Sequence, residues 1–69
     1  MPRYFFFVAY PDREFDDPDG ILLPGDEAAI DYARGLAEEL ARDRQPGEPE
    51  MTVIVKDVEG TVIYSEPVR

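Results

Sequence analysis

Asp16, Asp17, Asp19 and Gly20 form the densest group of potential metal ligands in the sequence. A calcium loop of the EF-hand kind wants acidic ligands at positions 1, 3 and 5, glycine at 6 and a bidentate glutamate at 12. With Gly20 at position 6, Asp17 and Asp19 fall at 3 and 5. Phe15 then occupies position 1, and the shorter Asp26 occupies position 12. The first ligand is missing and the last is short, so the segment reads as an acidic turn and no metal is expected.

Catalytic chemistry is equally poorly served. The chain has no histidine and no cysteine, which removes the commonest general base, the commonest metal ligand and every thiolate site. Carboxylate pairs can hydrolyse sugars, but only where their environments push their pKa values apart. Nothing in the sequence places two of them in an apolar pocket. Ser65 is the only serine, and Lys56, the only lysine, is predicted on a neighbouring strand. The glycines at 20, 25, 35, 47 and 60 match no phosphate-binding loop. The expectation is a protein that is not an enzyme, with no catalytic residues and no cofactor.

The remaining chemistry is aromatic. Residues 3–10 read RYFFFVAY, a strand that is apolar on both faces. Tyr4, Phe6, Val8 and Tyr10 share one face; Arg3, Phe5, Phe7 and Ala9 share the other. Phe5 and Phe7 on an open sheet could stack nucleic-acid bases. The charge balance argues against that: 7 basic and 16 acidic residues give a net charge of −9. The arginines at 3, 13, 34, 42, 44 and 69 form no stripe that would neutralise phosphates. No nucleic acid is expected. Phe5, Phe7, Ile54 and Ile63 are instead expected to form a hydrophobic interface with a protein partner.

The elements that would carry this patch follow from periodicity and punctuation. The segment PDREFDDPDG at 11–20 reads as turns only, and ILL at 21–23 as a short strand folding back on the first. Asp26 is the expected N-cap of a helix. Its inner stripe is Ala29, Ala33, Leu36, Ala37 and Leu40, and Gln45-Pro46-Gly47 stops it. Arg34–Glu38 and Glu38–Arg42 are spaced as helical ion pairs. Gly35 lies inside the helix and allows either a solvent-side position or the close approach of another backbone. Residues 51–57 and 61–66 alternate as a hairpin around Asp57-Val58-Glu59-Gly60, with Pro67 ending the pairing. The order β-β-α-β-β predicts an α+β fold: a small, mostly antiparallel sheet with one helix packed on one face. The strand order is open.

Sixty-nine residues make one domain, 1–69, near the size at which a core alone is marginal. Disulfides and thiolate metals are excluded, so oligomerisation is the stabilising device left. No segment approaches the roughly 20 apolar residues of a membrane span, and the start does not resemble a signal peptide. A cytoplasmic location and no membrane partner are expected.

MPRYFFFV, DDPDGILLP, the helix DEAAIDYARGLAEELARD and VIVKDVEGTVIY together resemble one known family. Its members are very short, uncharacterised bacterial proteins, a domain of unknown function common in rhizobia and related alphaproteobacteria. They open with Pro-Arg-Tyr-Phe-Phe. The resemblance implies a bacterial, stand-alone domain with no assigned activity. A looser similarity links Leu23-Pro24-Gly25 and the helix after it to the small antitoxins of the HicB type. That likeness implies a dimer that masks a partner protein. The expected function is a non-enzymatic protein–protein interaction domain that homodimerises through the sheet face opposite the helix. The alternative is an antitoxin-like or acidic regulatory protein that binds a basic partner.

Overall fold

The computed structural model describes every residue from Met1 to Arg69. The chain runs β1 (Arg3–Ala9), β2 (Glu14–Phe15), β3 (Ile21–Leu22), α1 (Asp26–Asp43), β4 (Met51–Lys56) and β5 (Val62–Val68). All pairings are antiparallel, in the order β2-β1-β4-β5, with β3 also on β1. Both β3 and β4 run against β1, so they run parallel to each other on either side of it, and α1 crosses between them.

The expected α+β architecture is present, with one strand more. Residues 11–20 are not turns alone. The Tyr10 N–H donates to the Arg13 carbonyl at 2.7 Å and closes a two-residue hairpin over Pro11-Asp12. This lays β2 along β1, Val8 opposite Phe15 and Ala9 opposite Glu14. β3 pairs with Arg3 and Tyr4 at the other end of the same edge. Between the two, the Asp17 carboxylate stands in for a strand. One oxygen accepts from the Phe6 N–H at 3.4 Å, the other from the Gly20 N–H at 3.1 Å. An edge donor that would otherwise be unpaired is thus satisfied locally.

The core lies between one sheet face and α1. Tyr4 and Phe6 of β1, Met51, Val53 and Val55 of β4, and Val68 of β5 are buried against Ala29, Ala33 and Ala37. The alanines recur every four residues, so one helix face is nearly flat and its backbone lies close to the sheet. Val53 and Val55 are fully buried, each contributing about 1.5 kcal/mol or more. No polar or charged residue is buried.

The ends of α1 differ from expectation. Gly25, not Asp26, is the N-cap, and no side chain caps the helix. The Asp26 carboxylate is engaged elsewhere, accepting from the Tyr4 hydroxyl at 2.6 Å. That bond, burial, and the charges of Asp26 and Asp57 push the Tyr4 phenol up to about 12. Between pH 10 and 12 the unfolded tyrosine releases its proton while the folded one keeps it, so stability falls as pH rises. Alkaline denaturation is expected to show this loss, and Tyr4→Phe should flatten it.

The anticipated Arg34–Glu38 and Glu38–Arg42 pairs do not form. Arg34 instead reaches Asp31 at 3.9 Å and donates through Nε to the Tyr64 hydroxyl at 3.4 Å. The Tyr64 hydroxyl in turn donates to Glu66. At the C-terminus, Arg44 donates to the carbonyls of Val68, at 2.9 Å, and Glu48, at 3.2 Å. It ties the helix end to the end of β5. Gly35 has no heavy atom within 4 Å of where a Cβ would stand. No backbone of this chain approaches it, so Gly35→Ala is expected to stabilise the fold by about 1 kcal/mol in chemical denaturation.

The β4–β5 connection is the expected turn. The Gly60 N–H donates to the Asp57 carbonyl at 3.0 Å, and Gly60 takes φ +81°. The Asp57 carboxylate accepts from the Glu59 and Thr61 N–H groups, both at 2.9 Å. Pro67 does not end the pairing. It lies opposite Thr52, and β5 continues to the buried Val68. A residue without an N–H is tolerated where that position faces a free edge, and it blunts the edge against strand addition.

Candidate functional site: the uncovered sheet face

Register fixes which residues share the face away from α1. Phe5 lies opposite Lys56, Phe7 opposite Ile54 and Ala9 opposite Thr52. Ile54 in turn faces Ser65, and Ala9 faces Glu14 on the other side. No second layer packs on this face. Phe7 and Ile54 form its centre, a directly opposed apolar pair of the kind that stabilises antiparallel sheets.

The sequence-predicted residues Phe5, Phe7 and Ile54 come together here, all half-buried. Ile63 does not join them. Val55 pairs with Tyr64 and Lys56 with Val62, so Ile63 is the extra residue of a bulge. It packs against the core, while Val62 takes the place opposite Lys56 and is 55% exposed. Bulges of this kind re-aim a side chain, and alternation alone could not locate the one residue out of step.

Two features invisible in the sequence cover part of the patch. The Lys56 side chain runs diagonally across Phe7. Its Nζ lies 4.4 Å from the ring centroid and 3.7 Å from Glu14 Oε1. The lysine stem screens apolar surface while its head stays paired and wet. Each of these two polar contacts is worth about 1 kcal/mol or less, so the cover is easily displaced. Phe5 is screened from the side. A Cβ placed on Gly20 would stand 2.9 Å from the Phe5 ring, so the ring lies against bare backbone.

The acidic turn is dispersed. Asp17 points inward to its two N–H donors, while Asp16 and Asp19 are exposed. No three acidic side chains converge in an arrangement that could hold a metal ion. No helix is long and apolar enough to cross a membrane.

Sequence reasoning also missed a second group of aromatic residues. Phe15 and Tyr32 are 55% and 44% exposed, more than any of Phe5, Phe7 and Ile54. Both lie on the helix side of the sheet, at the β1–β2 edge. The one available signal was a phenylalanine set among acids in DREFDD, which fits no turn role.

Fold and site together define a class: a small two-layer α+β domain whose sheet carries a helix on one face and an open, partly apolar surface on the other. The chain belongs to the family described as a domain of unknown function (DUF6894), whose model matches residues 3–69. No curated protein matches the chain, and no solved structure does. The expected membership of a family without an assigned activity is therefore correct in its coarse form.

Proposed function

We propose that this domain is a non-enzymatic protein–protein interaction module that pairs with a second copy of itself through the uncovered sheet face. One observation carries the proposal: Phe5, Phe7 and Ile54 lie together on a face that no layer of the chain covers, screened by a single lysine. Beside the patch the same face carries the cations Lys56 and Arg3 and the anion Glu14, charges of both signs that a two-fold interface can pair with its own copy. Size favours the same outcome, since a chain of 69 residues without disulfides gains stability from association. Light scattering over a concentration series tests it. A mass near twice 7.8 kDa at high concentration supports pairing, and 7.8 kDa throughout excludes it.

The alternative is an acidic regulator that masks a basic partner, as the likeness to HicB-type antitoxins implies. The helix favours it: Asp26, Glu27, Asp31, Glu38, Glu39 and Asp43 are all exposed on a chain of net charge −9. Capture of a basic protein that fails at high salt, from a monomeric domain, would favour this alternative over self-pairing. Bacterial origin and a cytoplasmic setting belong to both proposals, and the absence of cysteine is compatible with a reducing compartment.

A further inference from the structure

The sheet is wider than its helix. α1 packs mainly on β4 and β5 and covers Tyr4 and Phe6 of β1, which leaves the helix-side surface of β2 and of the Val8–Tyr10 end of β1 as a partly open ledge. Phe15 lies opposite Val8 and therefore on this side. Its ring meets Tyr10 edge-on, with centroids 5.6 Å apart. Tyr32 of α1 packs on Phe6 at 4.7 Å and forms the opposing wall. Along that wall Tyr32, Gly35, Leu36 and Glu39 line a depression of about 260 Å³.

The ledge already holds a cation. The Arg13 guanidinium carbon lies 4.8 Å from the Tyr10 centroid and 5.7 Å from that of Phe15. The two rings thus form a cation seat, occupied by a residue of the same hairpin. Both sides of the ledge carry negative charge: Glu39 lines the depression on α1, and the exposed Asp12 and Asp16 neighbour Arg13 and Phe15 in the chain. Aromatic grooves with acidic rims suit extended peptides that combine proline or apolar residues with arginine or lysine.

We propose that the ledge between α1 and the β1–β2 hairpin docks an extended cationic segment of a partner protein, whose basic side chain takes the seat that Arg13 now fills. This surface is distinct from the face proposed for self-pairing, and its test is independent of that proposal.

The experiment is an amide-shift titration of the full chain with a short peptide of alternating arginine and proline, and with its glutamate counterpart. Shifts confined to residues 10–15 and 32–39, weakened by salt and absent with the glutamate peptide, are expected. Arg13→Ala frees the seat and should tighten binding about three-fold, whereas Arg42→Ala changes the net charge equally and should not. Phe15→Ser, at an exposed position, should weaken binding about five-fold, with Tyr32→Ser as the corresponding variant on the wall. Phe7→Asp should leave the affinity unchanged. Four results would each overturn the proposal: no binding, shifts extending to Asp26, Glu27, Asp31 and Asp43 of α1, equal tightening by Arg13→Ala and Arg42→Ala, or weaker binding by Arg13→Ala.

Discussion

Replacing Phe7 with aspartate is expected to yield a folded monomer. Phe7 sits at the centre of the uncovered face, opposite Ile54. Central aromatic anchors cost about 2 kcal/mol or more when removed from an interface. In a two-fold dimer each such loss counts twice, about 4 kcal/mol, which weakens the dimer roughly 10³-fold. The fold itself should survive. Phe7 is only half-buried, and the new carboxylate would lie beneath the Lys56 ammonium that now sits 4.4 Å from the ring. Sedimentation velocity reads the change in association, and far-ultraviolet circular dichroism confirms the fold. A variant that unfolds would show Phe7 to be a core residue. A variant that associates like the wild type would place the interface elsewhere.

The largest effect on stability is expected at Gly20. Its φ of +71° suits glycine, and a Cβ there would stand 2.9 Å from Arg3 Cγ, the Phe5 ring and the Tyr4 carbonyl oxygen. The carbonyl is backbone and cannot turn aside. Left-handed geometry costs a non-glycine residue about 1 kcal/mol, and overpacking adds about 1–2 more. A domain of this size has only about 3–10 kcal/mol in total. Gly20→Ala should therefore lower Tm by about 10–20 °C. Gly47→Ala is the control. Gly47 has φ +88° with nothing within 4 Å of its would-be Cβ, so it reports the backbone cost alone. Equal Tm losses at the two positions would show that the contact with β1 is unimportant. Gly20 also holds the Phe5 ring in place, so Gly20→Ala should disturb the uncovered face as well.

Sequence periodicity located the elements that depend on neighbours along the chain. The alanine stripe defined α1 and its buried face, and strict alternation defined β4. The Asp57–Gly60 turn was legible because its hydrogen bonds lie within five residues. What escaped depends on contacts between distant segments. Asp26 has the chemistry of an N-cap, but the Tyr4 hydroxyl, 22 residues away, takes its carboxylate. β2 forms because β1 offers a free edge beside an acidic segment that looks like pure turn. Pro67 reads as a stop until its place on a free edge is known.

The candidate site was legible to a similar depth. Phe5, Phe7 and Ile54 were recognisable from facing direction alone, because side chains alternate along a strand. The Ile63 position required the bulge. The cover that Lys56 and Glu14 provide required knowing that β1 lies between β2 and β4. Phe15 and Tyr32 are exposed because α1 covers only part of the sheet, a matter of helix placement that no local pattern encodes.

The most direct test of the central claim, that the uncovered face binds a second copy, is an isotope-filtered Overhauser measurement on mixed labelled and unlabelled chains. The pairing predicts intermolecular contacts between the Phe5 and Phe7 rings of one copy and the Ile54 methyls of the other, lost in Phe7→Asp. Intermolecular contacts found only along β5 or on α1, or none at concentrations where the chain remains a 7.8 kDa monomer, would contradict it.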